Sequence, residues 1–182
     1  MPDRVVIGAG DTHVELVPGL VQTEDYIREV HRATLVDALE RDIEQQVTVR
    51  LTRQKLLAGE GAPALWMVVN EAVIRRVVGG PGVMRAQLER LLEVAKLPNV
   101  TLQVLPFAAG AHPSMDGAFH MLSFEPSDPS IVYIEYHTGT LYLEKAQEVG
   151  RYAQKFDHLR ASALSVSESC SLIEQATRDL RQ

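Results

Sequence analysis

Residues 117–143 read GAFHMLSFEPSDPSIVYIEYHTGTLYL. Two apolar and aromatic runs, Gly117 to Phe124 and Ile131 to His137, flank Glu125 to Ser130, a segment holding Pro126, Asp128 and Pro129. Strand-like runs on either side of turn formers predict a β-hairpin. A further short strand is expected around Leu141. Upstream, Val100 to Phe107 reads as a strand, and the continuous apolar run Ala64 to Val69 suits a buried one. Asn70 is placed to cap the turn after it.

Helical periodicity fills the intervals. Thr23 caps a helix reaching about Arg32, with Glu24 and Asp25 in the first turn where the helix dipole favours negative charge. Leu39, Ile43, Val47, Leu51, Gln54 and Leu57 recur at helical spacing until Gly59 and Gly61. Gly79-Gly80-Pro81 opens a helix with Met84, Leu88, Leu91, Leu92 and Ala95 on one face and Pro98 beyond its end. Val149, Tyr152, Ala153, Phe156, Leu159 and Ala163 form a later stripe. Ser165 with Glu168 then makes a capping box opening a last helix, whose inward face carries Cys170, Ile173, Ala176 and Leu180. Met1 to Gly10 reads as a short strand or an arm. The order implies an α+β (mixed α/β) domain: a central, mostly antiparallel sheet with a hairpin, packed by N-terminal, middle and C-terminal helices.

At 182 residues and 46% hydrophobic, the chain suits one domain with its own core. A net charge of −6 disfavours direct nucleic-acid binding, which needs a basic patch. The single cysteine, Cys170, allows no intrachain disulfide and points to a reducing compartment. No stretch approaches the ~20 apolar residues of a membrane span, so a cytoplasmic protein without membrane partners is expected.

Several stretches carry a resemblance. They are Val17-Pro18-Gly19-Leu20-Val21-Gln22-Thr23-Glu24-Asp25-Tyr26, Arg53-Gln54, Leu65-Trp66 through Glu71, and Gly79-Gly80 through Gln87-Leu88 with Leu91-Leu92. Pro98-Asn99-Val100 through Phe107, Gly110-Ala111-His112-Pro113 through Gly117, and Leu141-Tyr142-Leu143-Glu144 complete the set. Together they resemble the C-terminal domain of unknown function found behind an Xre-type helix-turn-helix in actinobacterial transcription regulators, the WhiJ-like group. The resemblance implies a domain that receives a signal from a small-molecule ligand or from a small BldB-like partner protein. Residues 1–16 are then an N-terminal arm and 17–182 a single regulator-type sensing domain. About sixteen residues before Val17 are too few for a helix-turn-helix, so a sensing domain without its DNA reader is expected. The chain departs from the family pattern at His120 and at the Tyr136-His137 pair.

The hairpin register decides what those residues can do. With Phe124 opposite Ile131, His120 falls opposite Glu135 and Ala118 opposite His137, placing His120, Leu122, Tyr133, Glu135 and His137 on one face. A carboxylate beside a histidine orients the ring and raises its basicity, giving an acid/base dyad. A one-residue slip would set Tyr136 beside His120 instead. The structural alternatives are a half-buried His120 bonded to a neighbour and a His137 that merely enters the turn at Thr138-Gly139. His112 and Asp116 lie in a Gly/Pro-punctuated loop able to face a ligand, although an Asp-Gly pair is also a turn. With His120 they match no known metal spacing, and neither metal nor cofactor is expected. Arg53 and Gln54, one turn after Arg50, are placed to reach an anionic ligand; otherwise they form a solvated helix face. Gly8-Ala9-Gly10 lacks the third glycine of a dinucleotide fingerprint.

Two functions follow as expectations. The first is a small-molecule or partner-binding sensing module, possible as a homodimer, with Arg53, Gln54, His112, Asp116 and Tyr133 at the ligand. The alternative is a cofactor-free cyclase, isomerase or lyase of specialised metabolism using His120, Glu135, Tyr136 and His137.

Overall fold

The first strand lies in the middle of the sheet. The computed structural model describes residues 6–13, 15–35, 37–59, 61–124, 128–136 and 138–180. Strand β1 (Val6–His13) is flanked by β2 (Ala64–Asn70) and then β3 (Val100–Leu105) on one side, all parallel. On its other side β4 (His120–Phe124), β5 (Ile131–Tyr136) and β6 (Gly139–Leu143) run as an antiparallel meander. The order is β3-β2-β1-β4-β5-β6 in one six-stranded sheet. Parallel pairing needs long crossovers. Helices α1 (Glu24–Thr34) and α2 (Glu40–Gln54) supply one, and α3 (Glu71–Arg75) with α4 (Gly80–Val94) the other. Helices α5 (Ala146–Ser162) and α6 (Val166–Asp179) end the described chain.

The mixed α+β fold expected from the sequence is the one observed, with half the sheet parallel. Of the two readings open for Met1 to Gly10, a short strand or an arm, residues 6–13 take the strand, hydrogen-bonded to neighbours on both sides. Low apolar content is what leaves both readings open: a strand written Gly8-Ala9-Gly10 carries almost no side-chain signal. Helix α3 was also missed, being a single turn that Asn70 caps through its side-chain oxygen and the Ala72 amide, 2.9 Å.

Side chains alternate across the sheet. One face, with Leu65, Met67, Val69, Leu102 and Val104, is buried under α1, α4 and α6. The opposite face, with Val68, Leu105 and Val132, packs on Phe156 and Leu159 of α5. Leu88, Leu91, Phe156 and Leu159, which periodicity alone leaves as core or subunit interface, are core. The β3 edge is covered by the α5–α6 turn: Leu164 N donates to Val104 O at 2.9 Å, and Val104 N donates to Ser169 Oγ at 2.8 Å.

A buried polar network seats α1 against its neighbours. Between β1 and α1 the chain makes a 3-10 turn, Gly19–Val21, whose backbone groups would otherwise be buried without partners. Gln87 of α4 supplies two partners: its Nε2 donates to Val21 O at 2.9 Å, and its Oε1 accepts from Thr23 N at 2.7 Å. Gln54 of α2 donates to Gly19 O at 3.1 Å and Gln22 O at 2.7 Å. Gln22 donates to Val17 O at 2.6 Å. Tyr26, wholly buried, accepts from Val17 N at 3.2 Å, and burial pushes its phenol up despite that bond.

Gln87→Leu keeps the volume and strands two buried backbone groups. It should destabilise the fold by about 2–4 kcal/mol in urea denaturation, whereas Gln175→Leu on the exposed side of α6 should stay within about 0.5 kcal/mol of the parent.

Candidate functional site

The strand order reverses at β1, and crevices at such points, outside the carboxyl ends of parallel strands, are where open α/β sheets place ligands. Here the ends of β1, β2 and β3 meet the connection from residue 106 to 119. His13, Asn70 and Leu105 from the strands, with His112 and Ser114 from the connection, line a cavity of about 10 Å³. It has room for a single water. Its polar walls are tied to the fold. Ser114 Oγ donates to Gly117 O at 2.6 Å and lies 3.4 Å from Thr12 Oγ1, while Thr12 Oγ1 accepts from Phe119 N at 2.9 Å. His112 Nδ1 accepts from Ser114 N at 3.3 Å, and its Nε2 is 3.5 Å from the Asn70 amide nitrogen.

Beside the crevice, rings cross four strands in a row. His120 stacks on Tyr133 with centroids 4.4 Å apart and planes 14° from parallel. His13 meets His120 edge-on at 5.2 Å, and Tyr133 lies 6.2 Å from Tyr142. The ladder dictates this, since His120 pairs directly with Tyr133 and Tyr133 with Tyr142. The expected register is therefore corrected by two residues: Leu122, not Phe124, lies opposite Ile131. Pro129 cannot donate to a ladder, and β5 pairs with His120, Met121 and Leu122, while β4 lies along β1 on its other edge. A shift of two preserves faces, so His120, Tyr133 and Glu135 stay on one side, but the His120–Glu135 dyad does not form. Glu135 is exposed and pairs with Thr140. Tyr136, 55% exposed, points to the other face, so the slipped pairing with His120 is also absent. His137 lies outside the described residues.

The remaining expected site residues separate. Asp116 is exposed and accepts from Lys155 Nζ at 3.1 Å, which holds its carboxyl below the usual range. Gln54 is a strut of the 3-10 turn, and Arg53 is exposed. Arg50, one turn earlier, is the arginine that turns inward, donating to Gln22 Oε1 at 2.6 Å. Among the described residues no group of three His, Cys, Asp or Glu side chains could hold a metal ion. Burial and then Glu174 push the half-buried Cys170 thiol up, away from nucleophilic behaviour.

The ligand-sized space lies elsewhere, on the α5 face. An open groove of about 330 Å³ is lined by Gly10, Ala64, Trp66, Thr101, Met121, Ser123 and Phe156 among others. Its floor is one cross-strand row, Met121–Gly10–Trp66–Thr101, with Ala64 and Ser123 flanking Gly8 in the row two residues on. Gly10, on the central strand, adds no side chain to the floor. A Cβ on Gly10 would come within 3.1 Å of the Phe156 ring. Trp66 forms the wall and is fixed on three sides: its Nε1 donates to Gln103 Oε1 at 2.8 Å, Phe156 meets it edge-on at 6.4 Å, and the Arg160 guanidinium lies 4.9 Å over its ring. Sequence reasoning missed these residues. The available signal was the alternation Gly8, Gly10 in a strand, which marks close approach of another group.

Truncation separates a packed ring from a catalytic dyad. His120→Ala, at a site 8% exposed, should cost about 2–3 kcal/mol in urea denaturation, and Glu135→Ala less than about 0.5 kcal/mol.

No curated protein and no solved structure matches the chain. One protein-family model, a domain of unknown function (DUF5753), matches residues 10–175, from the glycine in the groove floor to the last helix. With nearly its whole length matched, the chain belongs to the DUF5753 family of domains of unknown function.

Proposed function

We propose that this domain is a small-molecule-binding, sensing module whose ligand lies in the groove beneath Trp66. The observation that carries the reading is an open groove of about 330 Å³ on the sheet, where Gly10, Ala64 and Ser123 contribute little or no side chain and Trp66, Met121 and Phe156 supply apolar surface. That volume is at the lower end of ligand sites, about 300–1,000 Å³. Its walls are apolar and aromatic, with Thr101 and Ser123 offering hydroxyls at the floor. A small, flat, mainly apolar molecule fits such a surface. A signal-receiving role is the one implied by the resemblance to domains of Xre-type regulators, and a cytoplasmic setting accords with the lone cysteine. No helix among the described residues is long and apolar enough to cross a membrane. The enzyme alternative loses its main support, because Tyr133 rather than Glu135 faces His120.

Trp66 is the only tryptophan, so its emission reports on the groove directly. Anilinonaphthalene sulfonate should bind saturably, one per chain, with energy transfer from Trp66. Ser123→Phe, which fills the floor, should weaken it by at least about tenfold, or 1.4 kcal/mol, without lowering the melting temperature. Absence of saturation, or equal binding to Ser123→Phe, would remove the groove as the ligand site.

A further inference from the structure

The arginines of α1 and α2 are not treated alike. Arg28 is ringed by carboxylates, with Glu44 at 2.6 Å and Glu24 and Asp25 each at 2.8 Å. Arg32 has Glu40 at 2.6 Å and Glu29 at 2.7 Å. Arg50 is half-buried, yet its one hydrogen bond goes to the neutral amide of Gln22, and no carboxylate among the described residues is within ion-pair distance. A guanidinium has five N–H donors, and removing such a cation from water without a counter-charge is costly. Its stem lies across Gly19, in the turn pinned by Gln54 and Gln87, so the head group is held in place rather than free to swing out.

Other charges act on it. Arg53 is one turn along α2, and its charge acts on Arg50. His31 of α1 buries its Nε2 without a hydrogen-bond partner and feels the Arg50 charge. Burial, and then Arg53, lower the Arg50 pKa, with Glu135 across on β5 opposing them. The result is a fixed, under-neutralised cation with spare donors, bordered by a second cation. Planar N–H forks of this kind pair best with the oxygens of phosphate or carboxylate.

We propose that Arg50, with Arg53 one turn along α2, forms an oxyanion site beside the Gly19–Val21 turn that takes the phosphate or carboxylate group of a small molecule. It lies apart from the groove beneath Trp66, and neither depends on the other. Glu135 is the charge that an incoming anion must overcome.

The test is titration with inorganic phosphate and, separately, with acetate at constant ionic strength, following melting temperature and the His31 ring signals by NMR. Phosphate should act saturably on the parent protein and at least about tenfold more weakly on Arg50→Gln. Glu135→Gln, an exposed substitution, should bind roughly three- to tenfold more tightly, because a repelling carboxylate is gone. Burial first and Arg50 second hold His31 below its ordinary pKa, so the unfolded chain takes up its proton first and stability falls as pH drops below about 6.5. A bound anion should raise the His31 pKa and flatten that fall. Saturation by both anions identifies a site read by charge, and saturation by phosphate alone a phosphoryl site. Phosphate acting alike on the parent and Arg50→Gln is the general effect of an excluded salt and overturns the proposal. Should Arg50→Gln not fold, unchanged phosphate affinity in Glu135→Gln overturns it equally.

Discussion

The fold depends on satisfying one buried 3-10 turn. Gly19–Val21 lies where α1, α2 and α4 converge, and no regular ladder is available to its backbone. Three glutamines, Gln22, Gln54 and Gln87, supply the missing partners. Because they come from three different segments, their bonds fix the helices relative to one another as well as to the turn. A fully satisfied buried network of this kind favours a single arrangement, since any slip leaves a donor or acceptor unpaired. The helical layer on that face of the sheet follows from it. So does the position of Arg50, which completes Gln22 from the solvent side.

That network also accounts for part of the family resemblance. Gln22 and Thr23 in the Pro18-Gly19-Leu20-Val21-Gln22-Thr23 run, Gln54 in Arg53-Gln54 and Gln87 in Gln87-Leu88 are all members of it. In the sequence Gln54 looks like a candidate ligand contact because it is polar on a helix. In the fold it is architecture. Polar residues whose partners are backbone groups distant in sequence cannot be told from ligand contacts by spacing alone, since the partner carries no residue-specific signal.

Periodicity made the helices, β2, β3 and the hairpin legible, because each holds a strong pattern with clear punctuation. Face assignment in the hairpin was legible too, and a two-residue error cannot alter it. The partner of His120 was not, because alternation fixes which face a side chain takes but not which residue lies opposite it, and registers two residues apart look alike in the sequence. The groove was hidden for a related reason: its floor depends on what Gly10 lacks. Emptiness leaves a trace in a sequence only when the strand containing it has already been located.

The central position of β1 bears on how the molecule comes to be made. Its partners Ala64 and His120 lie far along the chain, so the strand emerges early from the ribosome and finds its second neighbour only after most of the domain has been synthesised. At 5–20 residues per second the wait is on the order of ten seconds. Non-local pairings of this sort also slow spontaneous folding. During that interval β1, β2 and β3 can pair with one another while the β4 side of β1 stays open to any extended segment. A strand built around Gly8, Ala9 and Gly10 has little apolar surface and low β propensity, which makes it a poor nucleus for premature association while it waits.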